Sequence, residues 1–169
     1  MRKTIFDVEV ARIRIQLDGP TLSQLGMLTR VGEPSDVSRR AVRTVLDAKE
    51  AIITTEFLRD VPYDSYLESA HESLEEAAES GLISPAVQRA TARLLPAWFA
   101  GLGGRGPREG DRLACSITAS SVRLVYTTAD GKKLVDETAR GKGTGRAILA
   151  SYFIPGTDLE EELIESLFR

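Results

Sequence analysis

Two ionisable side chains, Asp64 and His71, are seven residues apart in a segment whose pattern predicts a helix from Asp64 to about Ser80. Seven residues make two helical turns, so the two side chains share one face without touching directly. Bridged by a ligand or a water molecule, they would form a functional pair. In the alternative interpretation, Asp64 caps the helix after Pro62, and His71 borders its apolar stripe.

A second candidate is the pair Arg59-Asp60, which follows a segment rich in β-branched residues at 51–58. This segment predicts a strand. Adjacent strand residues point to opposite faces, so the two side chains serve different partners. Arg59 could anchor a ligand at the end of the strand, or it could form an ion pair that fixes the strand end to a helix.

Metal and thiol chemistry have little support in the sequence. One cysteine, Cys115, excludes an intramolecular disulfide, and its apolar-alternating surroundings indicate a small buried side chain. One cysteine and one histidine are too few for a zinc site built from these residues, and no carboxylate spacing suggests another metal. We therefore expect no metal and no cofactor.

The composition is that of an ordinary globular protein. The chain has 169 residues, of which 42% are hydrophobic and 28% charged, and we expect one domain over residues 1–169. A net charge of -3 gives no general attraction to nucleic acid or to an anionic membrane. No segment approaches the roughly 20 apolar residues of a membrane span. The start, Met1-Arg2-Lys3, lacks a signal-peptide pattern, so we expect a cytoplasmic protein.

Hydrophobic periodicity predicts an α+β fold with a largely antiparallel sheet and helices packed on one face. In the first strand the apolar residues shift from even to odd positions near Ala11. A bulge at Ala11-Arg12 would account for the shift, as would a strand that crosses from a wet to a covered region. The predicted strands are 4–17, 51–58, 112–118, 121–127 and 133–138. The main predicted helices are 22–28, 35–49, 64–80, 84–99 with a kink or an end at Pro96, 144–153 and 158–168.

Four segments, in this order and spanning nearly the whole chain, resemble the chalcone isomerase-like family, especially its bacterial branch. They are Phe6 to Ile15, Phe57-Leu58-Arg59-Asp60-Val61, Gly110-Asp111-Arg112-Leu113, and Ile148 to Phe153 before Pro155. The resemblance implies that family's open-faced sandwich of one sheet and its helices. It also implies a ligand cleft between the sheet and the helices.

The same resemblance implies that the isomerase site is altered. Catalytic members use an arginine from a stretch before the long strand, and here only Met1-Arg2-Lys3 precede that strand. The family's strand threonine falls on or near Glu9. Its tyrosine-asparagine pair falls most simply on Asp64 and His71. Tyr63 and Tyr66 are near misses, with Ala70 and Ser73 seven residues on, and only Ser151 matches a late hydroxyl position.

The sequence therefore favours a non-catalytic protein that binds a small apolar carboxylic acid, or a flavonoid-like ligand, in the cleft. Arg59 is the expected anchor of the carboxylate. The expected apolar wall consists of Val8, Val10, Leu67, Leu74, Leu95, Trp98 and Tyr152. One alternative is an intramolecular lyase that performs a chalcone isomerase-type cyclisation with Glu9, Asp64, Tyr66 and His71. A second alternative is an accessory module that binds another protein.

Overall fold

The computed structural model describes residues 3–8, 10–28, 30 and 34–168, with side chains described for 10–28, 30, 37–162 and 165–166. Within these residues, six strands form one sheet in sequence order, and every neighbouring pair is antiparallel. The strands are β1 (Lys3–Val8), β2 (Ala11–Leu17), β3 (Glu50–Phe57), β4 (Arg112–Thr118), β5 (Ser121–Thr127) and β6 (Lys133–Arg140).

The start of the sheet differs from the prediction of one long strand over 4–17. The chain reverses between Val8 and Ala11, which are opposite each other, and β1 and β2 form a hairpin. Across this short connection each even position of β1 is opposite an odd position of β2, for example Phe6 opposite Ile13. Opposed residues share a sheet face. The shift of apolar parity therefore marks a hairpin and neither a bulge nor a crossing strand.

The two faces of the sheet differ in burial, and this difference positions the helices. On one face every second residue of β2 to β5 is buried, and these side chains form a single core with the apolar residues of the helices. On the other face Glu56 lies 4.0 Å from Arg12 and 3.8 Å from Arg112, with all three side chains reaching solvent. The predicted α+β class, an antiparallel sheet with helices on one face, is confirmed.

The helices lie in two insertions, one between β2 and β3 and one between β3 and β4, and in a pair that follows β6. They are α1 (Gly19–Leu28), α2 (Pro34–Leu46), α3 (Tyr63–Glu79), α4 (Pro85–Ala92), α5 (Leu95–Phe99), α6 (Thr144–Ala150) and α7 (Asp158–Phe168), and a short 3-10 turn follows α5. Ser84 caps α4 by accepting from the Val87 amide, and Pro96 stands in the first turn of α5, so the predicted long helix is divided as expected. Helix α6 is shorter than predicted.

Gly110 and Asp111 stabilise the end of the long connection between β3 and β4. Asp111 is 1% exposed, and its carboxylate accepts hydrogen bonds from Arg105, Tyr126 and the amides of Arg108 and Ala129. Gly110, at φ 82°, donates its amide to the carbonyl of Phe57 at 2.8 Å. The Gly-Asp motif therefore joins the end of β3 to the start of β4 and to the β5–β6 turn.

The segment Phe57 to Val61, another of the four that resemble the family, contacts the same end of the connection. Asp60 accepts a hydrogen bond from the Glu109 amide at 2.9 Å, and the Val61 amide donates to the Pro107 carbonyl at 2.9 Å. Both segments thus stabilise one junction beside the sheet.

In the described part of the chain, no helix is long and apolar enough to cross a membrane.

Candidate functional site

A cavity of about 220 Å³ lies between the covered face of the sheet and the helices. The sheet contributes Leu113, Cys115 and Leu124, whose side chains are buried. The remaining described lining comes from α3, α5, α6 and the segment around α7: Tyr66, Ser69, Ala70, Ser73, Leu74, Leu95, Trp98, Phe99, Ile148, Ser151, Tyr152 and Leu159. The cavity is therefore part of the space that would otherwise be hydrophobic core.

The sequence of α3 explains why this space stays open. Its lining residues recur at helical spacing, so one face of the helix points to the cavity. At Ser69, Ala70 and Ser73 that face carries small side chains, whereas Leu74 is fully buried one residue further on. Small residues in the middle of the face leave a gap between helix and sheet, and larger residues at its ends support the helix.

An aromatic cluster forms one wall of the cavity. The Tyr66 ring lies edge-on to two phenylalanine rings, with centroid distances of 5.7 Å to Phe57 and 5.1 Å to Phe99. Edge-to-face packing of this kind adds about 0.5–1.5 kcal/mol per pair beyond area burial. Tyr66 is thereby held with its ring between β3 and α5.

Several hydroxyl groups line the cavity, and most of them have protein partners. Tyr152 Oη and Thr55 Oγ1 are 3.4 Å apart. Ser151 Oγ donates to the Ile148 carbonyl at 2.8 Å, and Ser73 Oγ donates to the Ser69 carbonyl at 2.9 Å. The lining can thus offer polar contacts to a ligand while its own hydroxyls remain largely satisfied.

The titratable groups of the cavity stay protonated at neutral pH. Burial raises the pKa of Tyr66 well above its usual value, and the nearby Tyr152 and Cys115 raise it further. Burial likewise raises the pKa of Tyr152, and it raises the pKa of Cys115 to about 12. A protonated phenol donates a hydrogen bond but is a poor base, and a protonated thiol is a poor nucleophile.

Charged side chains are missing from the described lining of the cavity. Arg59, the predicted anchor, is exposed at the end of β3 and is not among the lining residues. Asp64 is exposed at the start of α3, and the half-buried His71 also lies outside the lining. The pair with seven-residue spacing that does face the cavity is Tyr66 and Ser73.

Four of the residues predicted for the apolar wall do line this cavity, namely Leu74, Leu95, Trp98 and Tyr152. Tyr66 and Ser151, which the sequence offered as polar site residues, also line it. Val10 and Leu67 are half-buried and contribute nothing to the described lining. Glu9 and the side chain of Val8 lie outside the described residues.

Sequence reasoning missed the sheet side of the cavity. Leu113, Cys115 and Leu124 belong to the inward-pointing parity of β4 and β5, and alternation alone assigns such residues to the core. Cys115 is indeed buried, as predicted, at 2% exposure. The available signal was the run of small residues on α3 opposite these strands, since a sheet face opposed by serine and alanine is incompletely covered.

Among the described residues, no group of three or more histidine, cysteine, aspartate or glutamate side chains could hold a metal ion.

Comparison with known proteins identifies the fold. No family model matches the chain, and no curated protein matches it by sequence. The crystal structure of the Arabidopsis thaliana fatty-acid binding protein AtFAP1 is similar, with a TM-score of 0.66 and 9% sequence identity. The match covers 98% of this chain and 84% of that one. The architecture is the chalcone isomerase-like open-faced sandwich that the sequence predicted.

Proposed function

We propose that this protein is a non-catalytic binding protein for a small, elongated apolar molecule, which occupies the cavity between the sheet and α3. The observation that carries the proposal is the cavity itself, with a wall of buried apolar side chains and a few hydroxyls. Sites for small molecules in proteins have this character, since they are mostly apolar with few polar groups that fix orientation. Residues 1–169 act as one domain in this proposal, and the chain is a divergent relative of the chalcone isomerase-like family.

An alkyl or acyl chain is the ligand type that fits best. The similarity of the fold to a fatty-acid binding protein supports this choice. Each methylene that leaves water contributes about 0.8 kcal/mol, which corresponds to about a fourfold gain in affinity. Affinity should therefore rise with chain length until the cavity is full, whereas a flavonoid-like ligand would show no such series.

The described cavity groups include no general base, because burial keeps the two tyrosines and the thiol protonated. In a cyclisation of the chalcone isomerase type a phenolate adds to an enone, and although protonated hydroxyls can donate hydrogen bonds to the enolate that forms, they offer no positive charge to hold the phenolate. The described lining offers neutral hydroxyls and one thiol, and it contains no cation. We therefore assign the cavity to binding and not to turnover.

The test is calorimetry with a series of straight-chain alcohols of increasing length. Ser73→Phe places a bulky ring in the cavity and should abolish binding. The control is Ser65→Phe, an exposed position on the same helix that does not line the cavity. Ser65→Phe should bind the series as the wild type does.

Three results would contradict the proposal. Absence of binding at every chain length would remove the ligand role and favour an accessory module that binds another protein. Equal loss in both variants would show that the alcohols bind elsewhere. Turnover of a chalcone well above the spontaneous rate, abolished by Ser73→Phe, would favour the lyase alternative.

A further inference from the structure

We propose that the ligand of this cavity carries an uncharged polar head group, such as an alcohol, ester or ketone, and that the site discriminates against a carboxylate. The inference rests on the proposed binding function and specifies its ligand class. It follows from what a head group would meet in each of the two orientations available to an elongated ligand.

With its head inward, the ligand would meet neutral groups. Apart from Ser69 at the rim, the polar side-chain atoms of the described lining belong to Tyr66, Ser73, Cys115, Ser151 and Tyr152, and burial keeps the two phenols and the thiol protonated. A carboxylate moved from water to such a place loses its hydration and gains no cation in return. An alcohol or a carbonyl loses far less hydration, and one or two hydroxyl contacts are enough to replace it.

With its head outward, the ligand would meet negative charge. The rim includes Ser69, which is exposed, and Leu159, which is half-buried. These residues belong to α3 and α7, and neither helix contains a lysine or an arginine. The two helices together carry eleven acidic residues: Asp64, Glu68, Glu72, Glu75, Glu76 and Glu79 on α3, and Asp158, Glu160, Glu161, Glu162 and Glu165 on α7.

Some of these acids neighbour the rim directly. Glu72 and Glu76 follow the lining residues Ser69 and Ser73 by three positions, and Glu162 follows Leu159 by three positions. Residues three apart on a helix are surface neighbours. A carboxylate at the mouth would therefore lie among like charges, which lower its affinity, whereas a neutral head group would not be affected.

Arg59 does not change this balance. It is exposed beyond the end of β3 and takes no part in the described lining of the cavity. Both orientations thus oppose a carboxylate for separate reasons, one by desolvation and the other by repulsion.

The experiment compares decanol, methyl decanoate and decanoate at pH 7.5 by calorimetry on the full chain. Decanoate and methyl decanoate share a nine-carbon alkyl chain, and decanol has one methylene more, so a preference for the alcohol counts only beyond the roughly fourfold gain that this methylene contributes. We expect the alcohol and the ester to bind about tenfold or more tightly than the acid. A tenfold difference corresponds to a repulsion of about 1.4 kcal/mol between the carboxylate of the ligand and the acidic side chains at the rim, which is the size expected where solvent partly screens the charges.

Two lysine variants sharpen the test. Ser69→Lys places a cation at the rim and should raise the ratio of decanoate affinity to decanol affinity about tenfold. Ser116→Lys makes the same charge change on the exposed, opposite face of the sheet and should leave the three affinities unchanged.

The outcomes separate this inference from the proposed function. If decanoate binds the wild type as tightly as decanol or more tightly, the inference is wrong, while the binding function stands. If no probe binds, the proposed function fails and the inference fails with it. If both lysine variants strengthen decanoate binding equally, net charge and not the rim controls selection, which overturns the argument from α3 and α7.

Discussion

Among the carboxylates whose side chains the structure describes, replacement of the buried Asp111 should destabilise the protein most. Its side chain is 2% exposed, and Oδ2 accepts hydrogen bonds from Arg105 Nη1 at 2.7 Å, Tyr126 Oη at 2.7 Å and the Arg108 amide at 3.0 Å. Oδ1 accepts from the Ala129 amide at 3.1 Å. One carboxylate thus satisfies donors from three separate segments of the chain.

The size of the effect follows from these four contacts. Asp111→Ala leaves a largely shielded arginine and three other donors without their acceptor, and breaking a buried pair of this kind costs about 3–5 kcal/mol. Asp111→Asn keeps one oxygen, which can still accept from Arg105, Tyr126 and the Arg108 amide. Its NH₂ group, however, faces the Ala129 amide, which is also a donor, so we expect the free energy of unfolding to fall by about 2–3 kcal/mol. Tyr126→Phe removes one donor and should cost about 1–2 kcal/mol.

The effect should also depend on pH. Although burial alone would raise the pKa of Asp111, hydrogen bonds from Arg105, Tyr126 and two backbone amides outweigh it and hold this pKa below the usual value. A depressed pKa in the folded state means that the stabilisation is fully present above the unfolded value of about 3.9 and is lost as the pH falls through the folded value. The gap between wild type and Asp111→Asn should therefore be constant near neutrality and shrink below about pH 4.

Denaturation by urea, followed by the fluorescence of Trp98 and by circular dichroism, measures these differences. Trp98 is the single tryptophan and is 4% exposed, so its emission reports the core. The control is Asp136→Asn, since Asp136 also contacts two cations, Arg123 and Lys133, but at an exposed site where little stability is lost. A loss below about 0.5 kcal/mol for Asp111→Asn, or a loss equal to that of the control, would refute the reasoning.

Three further predictions concern packing, reactivity and the ligand. Gly145→Ala should lower the free energy of unfolding by about 1–3 kcal/mol in chemical denaturation, because the new Cβ would lie 2.5 Å from Cγ2 of Ile117. Gly26→Ala is the control, since its Cβ would meet nothing within 4 Å, and it should be neutral or stabilising by up to about 1 kcal/mol. Equal effects of the two substitutions would contradict the close approach of α6 to the sheet. Burial raises the pKa of Cys115 to about 12, so the thiol should react with iodoacetamide about a thousandfold more slowly in the native protein than in the denatured protein. Labelling is followed by mass spectrometry, and rapid labelling of the native protein would show that the thiol is accessible and ionised. Arg59→Ala should leave the affinity for decanoate unchanged in calorimetry, and a loss confined to the acid would restore Arg59 as the anchor of a carboxylate.

The fold could be predicted from the sequence because its signals are local. Alternating apolar residues and short polar turns mark β4, β5 and β6, and the serine-proline pair at 84–85 marks the start of α4. The hairpin of β1 and β2 was missed for an equally physical reason. The two residues between Val8 and Ala11 are Glu9 and Val10, which are not the glycine or asparagine that mark a tight hairpin.

The cavity could be predicted only in part. Leu95, Trp98 and Tyr152 were expected at a cleft, because large apolar residues on predicted helices must face the sheet. Which polar side chains enter the cavity depends on the rotation of α3 about its axis. A rotation by two residues exchanges Asp64 and His71 for Tyr66 and Ser73, and the sequence alone fixes no such rotation.

The order of strands in the sheet has a consequence for the folding pathway. Strands β1 and β2, and strands β4 to β6, are joined by short connections, so each set can pair after closing only small loops. Strand β3 reaches its neighbours only across the helical insertions at 18–49 and 58–111. Because long closures are slow, β3 is the strand whose pairing should come late, and its docking joins two early hairpin units into one cooperative sheet. We therefore expect the cavity, whose wall includes β4, β5 and the helix that follows β3, to be completed in the last steps of folding.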